Sequence, residues 1–191
     1  MNKKVGLSII FMLVALVGCS SSKQVVMHQY VLPTPAVVGA YPHVNKKLTV
    51  TLEPIRLPTY LTSTRMTMVD ANGVVYQANH HLWAEDLGIQ MQRLGQARLK
   101  QRLPQIQWAE NGYQLLIHVN AFSADNQGIA HIQGDWQLLN QQQQPVLTGS
   151  FAKQQPLAKS GYLAMTQTLS ELWSKTMDGI AHKLANFQPP S

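Results

Sequence analysis

Two runs of alternating side chains in the second half of the chain decide the fold. The run at 114–122 reads QLLIHVNAF, and the run at 130–138 reads AHIQGDWQL. In each run apolar side chains fall on one face and polar side chains on the other, which is the pattern of a half-buried strand. The polar tract from Asn140 to Gln144 predicts a hairpin turn into a third strand, from Val146 to about Gln154. We therefore expect an antiparallel meander here.

Two amphipathic helices are predicted on either side of this meander. The first begins at Glu85 or Asp86, where a carboxylate suits the free amide groups of a helix start, and runs to about Leu103. The second has apolar residues at intervals of three and four from Tyr162 to Phe187, with Ser160 as the expected N-cap. A proline follows each helix and prevents its continuation.

The first half of the chain contains shorter predicted strands. One covers 29–32, another alternates over 48–53, and the runs 65–69 and 74–77 flank an Asn-Gly turn that favours a hairpin. This element order predicts an α+β fold, with a mostly antiparallel sheet and two long amphipathic helices packed on one face. We expect a single domain over 28–191.

The N-terminus has the features of a secretory signal over residues 1–18. Two lysines precede an apolar run that is shorter than the about 20 residues of a membrane-spanning helix. The tetrad Leu16-Val17-Gly18-Cys19 looks like the lipobox of bacterial lipoproteins, so we expect cleavage before Cys19 and lipidation of its thiol. Residues 19–27 would then form a lipidated tether. An ordinary secreted protein with an incidental cysteine is the alternative.

Charge and residue types exclude several functional classes. Without residues 1–18 the chain has 13 Lys and Arg against 9 Asp and Glu, with no long basic run, so nucleic-acid binding is not expected. The single cysteine excludes a disulfide within the monomer. No G-x-S-x-G motif or glycine-rich phosphate loop occurs. We expect no catalysis and no cofactor.

A metal site is not expected among the seven histidines. His80 and His81 are adjacent, so on an extended chain they point to opposite faces and cannot easily share an ion. His118 and His131 lie in predicted neighbouring strands, where they could pair. Two polar residues on a solvated face explain them equally well.

The large apolar residues divide into two groups. Trp136 and Trp173 fall on apolar stripes of a strand and a helix, so we expect both indoles in the core. The second group lies in segments without periodicity and is the candidate partner-binding surface, with Tyr60 and Trp83 as an aromatic pair at its centre. The alternative is that this group closes the open end of the core. The group comprises Leu57, Pro58, Tyr60, Leu61, Leu82 and Trp83.

Ordered motifs along the chain resemble the PqiC-type lipoproteins, which are described as ABC-type transport auxiliary lipoproteins. The motifs are the lipobox, Tyr30-Val31-Leu32-Pro33, residues 57–61, residues 73–77 leading to Leu82-Trp83-Ala84, Gly134-Asp135-Trp136 with Leu138, and Gly161-Tyr162 with Met165, Leu169 and Trp173.

This resemblance implies a role beside an MCE-family tunnel protein that spans the periplasm from an inner-membrane partner. Such systems are linked to phospholipid movement between membranes and to envelope integrity. The lipoprotein would dock the tunnel to the outer membrane. The residue after Cys19 is consistent with this, because an Asp at that position would resemble the signal that retains lipoproteins in the inner membrane, and this chain has Ser20 instead. A homo-oligomer, a carrier that holds an acyl chain in its own pocket and an uncharacterised periplasmic enzyme remain alternatives.

Overall fold

The computed structural model describes residues 25–42 and 48–189. The predicted signal, Cys19 and the tether up to residue 24 lie outside the described residues. The described chain forms eight strands and two α-helices. In chain order these are β1 (His28–Tyr30), β2 (Thr49–Leu52), β3 (Arg65–Val69), β4 (Val75–Trp83), α1 (Leu87–Arg102), β5 (Gln107–Trp108), β6 (Tyr113–Ala124), β7 (Ile129–Leu139), β8 (Pro145–Pro156) and α2 (Tyr162–Ala185).

All eight strands belong to one sheet with β6 at its centre. On one side β6 pairs antiparallel with β7, and β7 pairs antiparallel with β8. On the other side the start of β6 pairs with β2, which leads to β5, while the end of β6 pairs with β3, which leads to β4 and β1. The sheet is mostly antiparallel, and the α+β prediction is confirmed.

The core lies where the two helices meet each other and the sheet. Trp136 and Trp173 are both buried, as the apolar stripes predicted. The Trp173 indole N–H donates a 3.0 Å hydrogen bond to the Met91 carbonyl oxygen of α1, and the Trp173 ring packs against the backbone at Gly95. Trp173 therefore joins the two helices both through the apolar surface that its ring buries and through its indole N–H.

Two local predictions are wrong. β4 runs to Trp83 and does not end near Gln77, because β1 pairs alongside its last residues. The second helix has Gly161, at φ +112°, as its N-cap in place of Ser160. Of the two alternatives left open for His118 and His131, the direct pair is absent, since the register of β6 and β7 places His131 opposite Ser123 and His118 opposite Asp135.

Residues 31–42 form a strap that crosses both helices. Arg98 and Arg102 of α1 donate hydrogen bonds to the strap carbonyls of Ala36 and Gly39, at 2.8 and 2.9 Å. The same two guanidinium groups contact the Asp178 carboxylate of α2 at 2.7 Å. Burial raises the pKa of the Asp178 carboxyl, but the hydrogen bonds and charges of the two arginines outweigh it and hold that pKa below its usual value.

We expect Asp178→Asn to lower the free energy of unfolding by about 2–3 kcal/mol at neutral pH, because charge-assisted hydrogen bonds are lost. The lowered pKa means that the ionised carboxylate stabilises the fold above its ordinary pKa of 3.8. This stabilisation is lost as the pH falls through the lowered value. Urea denaturation of both proteins across the acid range measures it. Parallel pH profiles for wild type and variant would contradict the assignment.

Candidate interaction surface

The structure divides the predicted partner-binding residues into two groups. Leu61 and Trp83 are only 2% and 4% exposed and belong to the core. Trp83 also lies in β4 and not in a loop, since its backbone pairs with Tyr30 of β1. For these two residues the alternative interpretation holds, in which they close the core. Leu57, Pro58, Tyr60 and Leu82 are half-buried and keep part of their surface accessible.

Tyr60 lies on the sheet face opposite the one that carries the buried Ile132 and Trp136 side chains. Its hydroxyl donates a 2.9 Å hydrogen bond to the Asn120 carbonyl oxygen, and burial raises the pKa of the Tyr60 phenol. The ring borders a cavity of about 290 Å³ that His131 also lines. Among the aromatic pairs of the described chain, none joins Tyr60 to Trp83. The predicted aromatic pair is therefore absent from the described chain.

The two predicted segments nevertheless meet through their neighbours. The Trp83 amide donates a 2.7 Å hydrogen bond to the Thr64 carbonyl oxygen, and Leu82 lies opposite Arg65 of β3. Leu57 lies close to Gly88, at the start of α1. The half-buried residues are thus fixed to rigid elements, which is the arrangement that a specific contact surface requires.

A cluster of aromatic rings that the sequence patterns missed lies where β1 meets the start of α2. His81 stacks on Tyr162 at 4.0 Å and on His28 at 5.2 Å between ring centroids, and its Nδ1 lies 2.9 Å from the Tyr30 hydroxyl. Burial, followed by the charges of His28 and His80, lowers the pKa of His81. Only the parallel pairing of β1 with β4 brings these residues together. The cluster fixes β1 to the helix start.

Three cavities of the described chain lie open at its surface. One of about 260 Å³ at the start of α2 has mostly apolar walls, one of about 580 Å³ between the strap and α2 has walls of mixed polarity, and one of about 440 Å³ beside the β7–β8 turn has mostly polar walls. Among residues 25–42 and 48–189, no three His, Cys, Asp or Glu side chains cluster closely enough to hold a metal ion. Neither helix of that part has the length and apolarity needed to cross a membrane.

The model of the family described as "ABC-type transport auxiliary lipoprotein component" matches residues 30–181. The chain belongs to this family. The match begins at Tyr30, the last residue of β1, and ends inside α2, so it includes β2 to β8, α1 and most of α2 of the auxiliary lipoprotein. The resemblance to this family, inferred from the sequence motifs, is confirmed.

Two solved structures share the fold of this auxiliary lipoprotein. One is an uncharacterised protein with a TM-score of 0.71 and 23% identity, covering 83% of this chain and 99% of its own. The other, a DUF330 family protein from Xanthomonas campestris, has a TM-score of 0.70 and 17% identity and covers 82% of this chain and 94% of its own. A comparison with curated proteins found no significant match.

Proposed function

We propose that this auxiliary lipoprotein is the outer-membrane component of an MCE-type (Pqi) lipid transport system, where it docks the periplasm-spanning tunnel protein and catalyses nothing. The observation that carries the proposal is the family match over residues 30–181, because an auxiliary component of a transporter acts through contacts with other components. Lipidated Cys19 and the following Ser20 would hold the domain at the outer membrane.

The filled core supports docking over lipid carriage. A carrier keeps a largely apolar pocket, and ligand pockets usually occupy about 300–1,000 Å³. In the described chain the mostly apolar cavity beside Met165 measures about 260 Å³. The cavity of about 580 Å³ is an open groove between the strap and α2 with walls of mixed polarity, and that of about 440 Å³ has mostly polar walls. Large side chains such as Trp173 and Phe122 fill the space between helices and sheet. A docking module requires only a rigid body with accessible side chains.

The contact surface that we propose consists of Leu57, Pro58, Tyr60 and Leu82. Each is half-buried and held by an element whose position the core fixes. Leu61 and Trp83 beneath them contribute rigidity and no direct contact. Tyrosine suits the centre of such a surface because it combines a large apolar ring with low rotamer entropy.

We expect Tyr60→Ala to weaken the affinity for the tunnel protein by about 2 kcal/mol, roughly thirtyfold in Kd, because a ring that is desolvated in the complex is lost. The affinity of the purified tunnel protein for wild-type and variant lipoprotein in detergent would be measured with one of the two proteins immobilised on a sensor surface. Leu82→Ala should weaken binding in the same direction. The melting temperature should change little, since Tyr60 keeps a solvent-accessible side.

Two control variants separate contact from folding. Tyr60→Phe retains the ring and removes only the hydrogen bond to the Asn120 carbonyl, so it should bind almost as wild type. Gln142→Ala changes an exposed turn residue at the far end of the sheet and should have no effect. Unchanged affinity in Tyr60→Ala, or lost affinity accompanied by a large fall in melting temperature, would remove Tyr60 from the contact surface.

A further inference from the structure

The tip of the β3–β4 hairpin exposes three consecutive apolar side chains. Val74, Val75 and Tyr76 are 46%, 42% and 54% exposed. Isolated exposed apolar residues are common on protein surfaces, but a cluster at the end of a protruding element marks a contact site. We call these three residues the apolar tip.

The turn that carries the apolar tip is rigid and uses its own carboxylate internally. The Asp70 carboxylate accepts hydrogen bonds from the amides of Asn72 and Val74, both at 2.9 Å, and from the Tyr76 hydroxyl at 3.4 Å. Gly73 supplies the positive φ of +82° that the turn needs. The acidic group is thus turned inward, and the outer surface of the tip is left to uncharged side chains.

The chain that leads back to Cys19 leaves the domain in the direction of the apolar tip. β1 runs parallel to β4, with His28 opposite His81, so the chain before His28 heads toward the start of β4. That start, at Val75, is the hairpin tip. Along this exit the side chains of residues 25, 26 and 27 are apolar and also exposed.

Chain length allows the apolar tip to reach a membrane that holds Cys19. Nine Cα-to-Cα steps lead from Cys19 to His28, and they can span at most about 30 Å. The tip extends beyond the level of His28 by the length of β4 between Val75 and His81, about 20 Å. A fully extended tether therefore leaves no more than about 10 Å between a membrane-facing tip and the membrane surface, and any slack closes this gap.

The charged side chains at this end of the sheet leave the apolar tip free to meet a lipid surface. The second acidic side chain there, Asp125 in the β6–β7 turn, accepts hydrogen bonds from the amides of Gln127 and Ile129 and pairs with His131 at 2.9 Å. Lys159, between β8 and α2, is exposed. The two carboxylates are thus occupied by hydrogen bonds, and the end presents apolar groups, an amphipathic tyrosine and a lysine, which are side chains found at the interface of a bilayer.

We propose that the apolar tip inserts into the lipid interface of the membrane that holds Cys19 and orients the domain on it. This proposal rests on the lipid anchor of the proposed function and adds a second, non-covalent membrane contact. A lipid chain alone fixes only distance, whereas a rigid hairpin that also enters the interface fixes which surface faces the periplasm. The proposed contact surface of Leu57, Pro58, Tyr60 and Leu82 would then keep one orientation relative to the tunnel protein.

Photocrosslinking to lipid tests the proposal. A photoreactive amino acid such as p-benzoylphenylalanine replaces Val75, or Gln142 in the exposed turn at the opposite end of the sheet as the control. Cys19 of the chain from residue 19 onward is coupled to a maleimide lipid in vesicles of phosphatidylethanolamine and phosphatidylglycerol. Because Cys19 is the only cysteine, attachment occurs at one site and is independent of lipidation in cells. The experiment therefore tests insertion of the tip even if Cys19 is not lipidated in cells.

We expect the probe at position 75 to form adducts with lipid acyl carbons and the probe at position 142 to form none. A probe at Val74 should also lose its adducts when Tyr76→Asp is added, since the charge opposes insertion while the exposed position leaves the fold intact. Equal labelling at 75 and 142 would overturn the proposal. So would adducts in cells that join position 75 to a protein and not to lipid, because the tip would then be a protein contact.

Discussion

Trp173→Ala is expected to lower the free energy of unfolding by about 3–5 kcal/mol, through lost apolar burial and the cavity that remains. Trp173 belongs to α2, and its side chain is 1% exposed and packs against α1. The substitution also removes the hydrogen bond that the indole donates to the Met91 carbonyl, which then keeps only its partner within α1. Urea denaturation monitored by far-ultraviolet circular dichroism measures the change.

Two matched variants define what each result means. Trp173→Phe keeps most of the ring and removes the indole N–H, so its loss of stability should be clearly smaller than that of the alanine variant. Gln167→Ala, at an exposed position of the same helix, should stay within about 0.5 kcal/mol of wild type. If Trp173→Ala unfolds like Gln167→Ala, the helix face assigned to the core is wrong.

The elements that could be predicted are those whose burial follows a local period. β6 and β7 have one face covered by helices, so Ile117 and Trp136 alternate with polar residues and reveal both strands. In α2 the buried Leu169 and Trp173 follow a helical period for the same reason. Each of these patterns needs only the neighbouring residues and one covered surface, which a sequence contains.

Elements that depend on long-range pairing could not be predicted in the same way. A strand was predicted at 29–32, but its pairing with β4 and its end at Tyr30 were not, and the two-residue β5 was not predicted at all; each pairs with an edge that a distant strand offers. The extension of β4 to Trp83 has the same cause. The strap of residues 31–42 has no period, and its position depends on the side chains of Arg98 and Arg102, which no local pattern connects to it.

The candidate surface stays a prediction, and the sequence could not define its members for a related reason. A large apolar residue outside a periodic run has two explanations, a contact surface or a closed core, and sequence alone does not separate them. Burial assigns Leu61 and Trp83 to the core and leaves Tyr60 and Leu82 as candidates. The sequence does indicate the position of the apolar tip, since Val74, Val75 and Tyr76 directly follow the Asn-Gly turn of a predicted hairpin. The parallel pairing of β1 shows that this tip and the tether share one end.

Cys19→Ala is expected to abolish lipid attachment and to release the domain from the membrane. Because Cys19 is the only cysteine, a lipid attached through a thiol has no other site. The apolar tip alone is too small to replace acyl chains, each of which contributes about 0.8 kcal/mol per buried CH₂. Metabolic palmitate labelling followed by membrane fractionation measures both effects.

A second version of the protein controls for faulty export of Cys19→Ala. An ordinary cleavable secretory signal replaces residues 1–19, so that the domain reaches the periplasm without an anchor. This version should be found in the periplasmic fraction. Persistent labelling and membrane retention of Cys19→Ala would show that the lipobox assignment is wrong.

The central claim is that the lipoprotein holds the MCE-type tunnel protein at the outer membrane, and co-fractionation of the two proteins tests it most directly. Envelopes are separated on a sucrose gradient from cells that contain either the wild-type lipoprotein or the version secreted without its anchor. We predict that the tunnel protein sediments partly with the outer membrane in the first strain and only with the inner membrane in the second. The same distribution of the tunnel protein in both strains would contradict the account.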